Sequence, residues 1–347
     1  MYYHIFFIYF LIIILNNQLA FGYFKKLPSE LSEKLDECWC SYKATYGKEY
    51  TKKEEKKRRI AWENNLLEIH EHNLKKKAGL YKFILKANHL ADLSTNEYNK
   101  KWVKLKVSRK RRICGNDIVG AVLDDPKKIP KSINWRDKGF NPDPVDQQNC
   151  GSCYAYSIVG SIQGQIFKMT NKTINLSVQQ LVDCSSTSGN YGCSGGSLKN
   201  TLRYLERQGG LMKEESYPYI AQESSCKYQH KLKFVNVTSW GILTARDARK
   251  LEKALVEIGP IAVSINASPK TFQLYDHGIY DDQACSSDQV NHAMLLVGFT
   301  EEYWILKNWW TDKWGENGYM RVAKKNNLCG ITNYAAFARI SIISPNF

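Results

Sequence analysis

"NCGSCYAYS", residues 149–157, sets Cys150 and Cys153 three positions apart, with Gly151 and Ser152 between them. That spacing suits a redox pair, half of a zinc site, or a bridged cysteine beside a free one. The rest of the cysteines bear on the choice. Cys38, Cys40 and Cys114 lie in the first third; Cys150, Cys153, Cys184, Cys193, Cys226, Cys285 and Cys329 lie beyond it. Seven is odd, so three bridges in this part would leave one thiol over. A zinc site wants a second pair at ligand spacing, and "DCSSTSGNYGC" (183–193) holds its cysteines too far apart. A thioredoxin-type pair wants a short βαβ context, which a chain of this length with five further cysteines does not suggest.

The bridges need an oxidising compartment, and the N-terminus supplies a route to one. "MYYHIFFIYFLIIILNNQLAFG" opens with an almost uninterrupted apolar run and ends on Ala20-Phe21-Gly22, small residues at the −3 and −1 positions before Tyr23. Residues 1–22 therefore read as a cleaved signal peptide. The n-region carries only His4, so an uncleaved anchor is the alternative, although the run is short for a membrane span. No later segment is apolar enough to cross a bilayer, so no stable membrane association is expected. The chain is placed in the secretory pathway, where disulfides form.

Charge divides the chain. Residues 23–128 hold 26 Lys+Arg against 15 Asp+Glu, and residues 129–347 hold 23 against 19. Nucleic-acid binding is one reading of the basic excess. Secretion and the interleaving of lysine with glutamate on helical segments favour solvated helix surfaces instead, so no nucleic-acid partner is expected. "SELSEKLDECWCSYKATYGKEY" predicts a helix opening at a Ser29 N-cap, and Thr51 caps a second. On the second, Glu54, Arg58, Trp62, Asn65, Ile69 and Asn73 recur at spacings of three and four and share one stripe. A stripe mixing Trp and Ile with polar groups suits a helix that crosses another and satisfies buried polar groups there. "KANHLADLSTNEY" (86–98) reads as a short strand and a turn into another helix. Residues 106–128 read as a linker holding the tetrad "RKRR" (109–112).

From Pro130 the composition is that of a compact domain. "LSVQQLVDC" is a capped helix and "LRYLERQGG" a helix with a Gly C-cap. "GPIAVSI", "HAMLLVGF" and "YWILKNW" are apolar runs of strand length. Helices early and strands late argue for an α+β arrangement of two sub-lobes around a groove.

With these segments in place, the chain resembles the papain-family cysteine proteases. "CGSCYAYS" matches their nucleophile signature in its Tyr variant, and "NHAMLLVGF" and "ILKNWWTDKWG" stand where the family places its His and Asn. Cys153 lies 139 residues before His292 and 155 before Asn308. The Glu54–Asn73 stripe resembles the propeptide signature of the cathepsin L-like branch, with Trp62 for the usual Phe, and Asn88 and Asp92 keep part of the motif that follows. "DQQNC" and "LSVQQLVDCS" lean toward cathepsin O.

The resemblance implies a papain-like two-lobed fold, a helical left lobe and a β-barrel-like right lobe, preceded by a helical inhibitory propeptide. The domains would be signal peptide 1–22, propeptide 23–128 and protease 129–347. Its bridges map as Cys150–Cys193, Cys184–Cys226 and Cys285–Cys329, leaving Cys153 free at the head of a long helix. Cys153 would be the nucleophile of a thioester mechanism, His292 its base and then acid, and Asn308 the residue that orients the imidazole under cover of Trp310. Gln147 would give the side-chain donor of the oxyanion hole, with Gln148 as rival, and the Cys153 N–H would be the second donor.

By register, the pocket for the side chain two residues before the scissile bond is walled by Leu198, Ser264, Val290, Ala293 and Tyr334, which favours an aliphatic residue. Gly195 and Gly196 would pair with the substrate backbone. No insert blocks the cleft between Cys193 and Cys226, so an endopeptidase is expected, made as a zymogen. Tyr154, Gln148, Thr311 and Trp309 depart from the family's residues, and Trp309 is expected to put a bulky ring at the site. The rival class is a relative that binds peptides without cleaving them; the chain keeps all the reacting groups that such relatives lose.

Other implications are protein and peptide substrates, the chain's own propeptide as inhibitor, cystatin-type inhibitors as partners, no cofactor and no metal. Sequons at Asn171, Asn175, Asn236 and Asn266 predict glycosylation, with Pro269 weakening the last, and the destination would be lysosomal or extracellular. "RKRR" reads as a nuclear signal, a convertase site or a solvated linker. Acid activation is expected to act through carboxylates, Asp92 and the Glu54–Arg58 pair.

Overall fold

A computed structural model describes residues 29–107 and 129–343. The leader 1–22, the tetrad 109–112 and Cys114 lie outside the described residues.

Helices α1 (Ser29–Tyr46) and α2 (Lys52–Lys77) open the chain. Helix α1 is described from Ser29, and Thr51 caps α2, its side chain accepting from the Glu54 N–H. The helices meet through aromatic rings: Trp62 lies 5.4 Å from Trp39 and 5.9 Å from Tyr42, centroid to centroid. Arg58, Trp62 and Asn65 of the polar stripe are buried.

The segment read as a strand, 86–94, is a loop; the strand lies just before it as β1 (Phe83–Leu85), and α3 (Thr95–Trp102) follows behind a Ser94–Glu97 capping box. The alternation in "KANHLADL" that suggests a strand comes from a loop whose Leu90 and Ala91 are buried, with Asn88 and Asp92, against neighbouring elements. Its backbone carbonyls bond side chains. Asn65 Nδ2 donates to Ala91 O and Leu93 O, and Asn73 pairs with both backbone groups of Leu85.

Past residue 129, β2 (Ile133–Asn134) precedes α4 (Cys153–Thr170), α5 (Val178–Cys184) and α6 (Leu198–Gln208). The strands follow: β3 (Gly210–Met212), β4 (Lys233–Ile242), β5 (Ile261–Ile265), β6 (Tyr275–Tyr280), β7 (His292–Phe299), β8 (Tyr303–Lys307), β9 (Tyr319–Ala323) and β10 (Ala335–Ile342), with α7 (Ala248–Glu257) before β5 and the single-turn α8 (Lys270–Gln273) before β6. The sheet runs β1-β6-β9-β8-β7-β5-β10-β4-β3, with β2 on β7. Its two end strands do not pair with each other, so the strand-rich lobe is an open sheet rather than a closed barrel. Helix α4, apolar nearly all round, is buried against β5, β7 and β10.

The N-terminal segment is part of that sheet. β1 adds antiparallel to β6, Phe83 opposite Gly278. Gly278 holds φ +103°, and a Cβ there would meet the Lys82 carbonyl at 2.4 Å, so only glycine lets the strand close. Across the same junction Asn88 Nδ2 donates to Gln273 O, Gln273 Nε2 donates to Leu90 O and Leu93 O, and Tyr98 donates to Ala267 O at 2.6 Å.

Candidate active site

The three expected bridges are present, Cys150–Cys193, Cys184–Cys226 and Cys285–Cys329; Cys38, Cys40 and Cys153 are free among the described residues. Cys153 is the first residue of α4, whose first turn carries no acid. The helix's positive end therefore falls on the sulfur and favours the thiolate.

Strand β7 begins at His292, and the backbone of Ala293, the next residue, lies by the Cys153 sulfur and favours its charged form. His292 Nε2 lies 2.8 Å from Asn308 Oδ1, which also accepts from the Trp309 N–H at 2.9 Å. An amide oxygen can only accept, so Nε2 carries the proton. Nδ1, buried with no partner among the described residues, is left as the acceptor for a thiol proton. Trp310 lies over the imidazole, centroids 4.8 Å apart, and screens the His–Asn bond from water. Gln147 is fully buried; its Nε2 donates to Cys150 O at 3.0 Å and to Trp102 O at 3.2 Å. Gln148, its rival, is exposed and holds φ 53°.

The propeptide fills this site. After α3 the chain runs extended: Leu105 N–H donates to Asn291 O, Lys106 N–H to Gly196 O, and Leu105 pairs with Gly196 in the parallel sense. A Cβ at Gly195 would stand 2.1 Å from the Lys104 carbonyl, so glycine is required for the strap to lie flat. The Lys104 backbone comes close enough to the Cys153 sulfur to favour its charged form. Under this cover, burial pushes the Cys153 thiol up to about 11, offset in part by the backbone groups of Ala293 and Lys104. It pulls His292 down to about 4 against the opposing bond to Asn308. Both groups are thus neutral in the docked precursor.

The residues read as a side-chain pocket fall together in part. Ser264 stands opposite Ala293 across β5–β7, its N–H donates to Tyr334 O, and the Tyr334 hydroxyl accepts from the Lys199 N–H beside Leu198. Val290 sits beside them, with Cγ1 2.9 Å from where a Cβ on Gly330 would stand.

Two expectations need correction. Trp309 does not border the cleft: it is 2% exposed, stacks on Tyr156 at 5.3 Å, packs its ring edge over Gly160 and donates to Ala293 O. It points behind the catalytic wall, into a cavity of about 180 Å³ shared with Tyr156, Tyr219 and Lys307. Asn266 is 4% exposed, donates to Ser286 O and accepts from Ser268 N–H, so the folded domain does not present it for glycosylation. Asn171 and Asn175 are exposed, and Asn236 is partly so. The masking contacts of Trp102 and Lys104, and the role of Tyr219 below, had no signal in the sequence.

A thiol at a helix N-terminus, an imidazole of fixed tautomer and a self-derived strap across them define a cysteine peptidase held silent by its own propeptide. The chain belongs to the papain family of cysteine proteases: the papain family cysteine protease description matches residues 129–339, and the cathepsin propeptide inhibitor domain matches residues 39–98. It is 38% identical over 314 residues to cathepsin K of Mus musculus, covering 89% of this chain and 94% of that protein. To procathepsin L of Felis catus it is 38% identical over 322 residues, covering 90% and 94%. Among solved structures it is similar to the digestive procathepsin L2 proteinase of the Tenebrio molitor larval midgut, with TM-score 0.79, 30% identity, and coverage of 88% and 99%.

Proposed function

We propose that Cys153, His292, Asn308 and Gln147 carry the reaction of this zymogen. Once the strap leaves, His292 Nδ1 takes the Cys153 proton, and the helix end stabilises the thiolate. The thiolate attacks the scissile carbonyl; Gln147 Nε2, now bonded to the Trp102 carbonyl, and the Cys153 N–H receive the oxyanion. The imidazolium protonates the leaving amine, and water hydrolyses the thioester with His292 again as base. The observation that carries this reading is the pair of bonds on Asn308 Oδ1, which fix the imidazole tautomer that the chemistry needs.

The strap runs in the reverse direction to a substrate, and its Leu105 stands for the aliphatic side chain favoured two residues before the scissile bond. Ser264, Val290, Ala293, Leu198 and Tyr334 wall that pocket. The enzyme, residues 129–347 after loss of 1–22 and 23–128, acts in lysosomal or extracellular space and is a target of cystatin-type inhibitors. A binding-only role is disfavoured because every reacting group is in place. Cys153→Ala should abolish cleavage of a Leu-containing peptide while leaving the far-ultraviolet circular dichroism and melting temperature intact. Residual hydrolysis near the wild-type rate would sink the mechanism. Asn308→Ala should be milder than His292→Ala, since it orients and does not react.

A further inference from the structure

Gln147 is held by more than its own side chain. Its N–H donates to Trp309 O at 2.9 Å, and its carbonyl accepts from the Tyr219 hydroxyl at 2.8 Å. The same hydroxyl lies 2.7 Å from Ser152 Oγ, and Ser152 is the N-cap residue immediately before Cys153. A phenol has one proton and a carbonyl can only accept. With the Tyr219 proton on the Gln147 carbonyl, the Tyr219 oxygen accepts from Ser152 Oγ, which also lies 3.4 Å from the Cys150 carbonyl. The chain of bonds runs from the head of the catalytic helix, through one phenol, to the backbone of the residue that offers Nε2 to the reacting oxygen.

Tyr219 is itself fixed. Its N–H donates to Glu214 Oε1 at 2.7 Å, and its ring meets Tyr156 edge-on at 5.1 Å. Burial raises its pKa, so the phenol stays protonated through the working range. The Cys150 N–H also reaches the Gln147 carbonyl, at 3.3 Å; Tyr219 adds a bond from that carbonyl to the residue that caps the catalytic helix. On one side Gln148 sits at φ 53°, a strained turn that would relax the loop. On the other, a cavity behind the catalytic wall borders the Tyr219 ring.

We propose that Tyr219 is a positioning residue of the oxyanion hole, locking Gln147 to the first turn of the catalytic helix. The proposal rests on the reading of Gln147 as an oxyanion donor. Tyr219→Phe removes only the hydroxyl and keeps the ring packing.

The test uses full-length precursor converted at acid pH, as wild type, Tyr219→Phe, Gln147→Ala and the double variant. Four quantities are read: kcat and KM on a Leu-containing peptide, affinity for a peptide aldehyde, and the pH profile of inactivation by a peptide epoxide. The aldehyde adds the Cys153 sulfur to its carbonyl carbon, and the carbonyl oxygen becomes the hydroxyl or alkoxide that occupies the hole. The epoxide reports the thiolate.

Misplacing one donor should cost less than deleting it, so Tyr219→Phe should lower kcat and aldehyde affinity about tenfold. KM and the epoxide profile should not change, and Tyr219→Phe should add no further loss on the Gln147→Ala background. If Gln147→Ala weakens the aldehyde and Tyr219→Phe does not, the role of Tyr219 is wrong while Gln147 stands. If Gln147→Ala itself leaves aldehyde affinity intact, the oxyanion reading fails and the proposal falls with it. A Tyr219→Phe loss shared equally by the epoxide rate overturns the proposal in favour of general disorder at the helix head.

Discussion

Gln148 and Thr311, two of the residues that depart from the family pattern, both sit at left-handed backbone, φ 53° and 62°. The family's usual glycine takes that conformation freely; a β-branched residue pays on the order of 1–2 kcal/mol for it. Thr311 is not idle, since its Oγ1 accepts from the Lys313 N–H at 3.1 Å. Asparagine keeps an acceptor at this position and tolerates left-handed geometry. Thr311→Asn should therefore stabilise the processed enzyme by roughly 0.5–1 kcal/mol, read as a higher melting temperature with unchanged peptide cleavage. A lower melting temperature would show that Thr311 is not strained.

The same contrast explains what the sequence could reveal at this scale. Cys153, His292 and Asn308 are legible because each lies in a short distinctive motif, and the Cys153 pKa logic needs only a helix that begins there. The direction of Trp309 is not legible. It depends on Gly160 leaving space one helix away and on Ala293 offering a carbonyl, neither of which is local in sequence.

Helix α2 works as a clamp on the loop 86–94, and its polar stripe is its working face. Asn65 donates to two carbonyls, Ala91 O at 2.7 Å and Leu93 O at 3.0 Å, the second shared with Gln273 Nε2. Arg58 reaches Asp92 O while pairing with Glu54 and Glu97. Spacing on a helix made the stripe visible, and it also made clear that the stripe must meet buried polar groups. That these groups belong to a loop, and not to the crossing helix, was not visible, because α1 meets α2 through aromatic rings instead. Replacing Asn65 by Leu leaves the buried Ala91 carbonyl unpaired, at about 1–3 kcal/mol, while Leu93 O keeps its bond from Gln273 Nε2. Asn65→Leu should loosen the loop and, through Asn88 and Gln273, the docked strap. The expected readout is a precursor that cleaves peptide at neutral pH and activates at higher pH than wild type. An unchanged activation midpoint would mean that the loop is held from the protease side alone.

Across the whole molecule, the expected activation in acid calls for a group at the junction whose protonation opposes docking. Asp92 is well compensated: it receives bonds from Tyr42, Tyr50 and Lys48 and is buried among them. Its neighbour His89 is not. Both ring nitrogens of His89 are shut from water without a hydrogen bond; the ring meets Trp102 edge-on at 5.9 Å and faces Tyr46. Lys48 and Lys313, the latter from the protease side, oppose a charge there, while Asp92 favours it. Burial is the larger cause and brings its pKa down to about 3.

The sign follows from linkage. A histidine held at about 3 when docked, and near 6.5 when released, takes up a proton on release anywhere between those values. Docking is therefore undisturbed by His89 above about pH 6.5 and weakens progressively as pH falls below it, by on the order of 2 kcal/mol near pH 5. Leucine at this position cannot charge. His89→Leu should keep neutral-pH inhibition and move the activation midpoint to lower pH. Asp92→Asn, which removes an ion pair with Lys48, should weaken inhibition at neutral pH as well. An activation midpoint that is the same in His89→Leu and wild type would exclude His89 as the group that opens the precursor, and would return the role to the carboxylates of α2 and its loop.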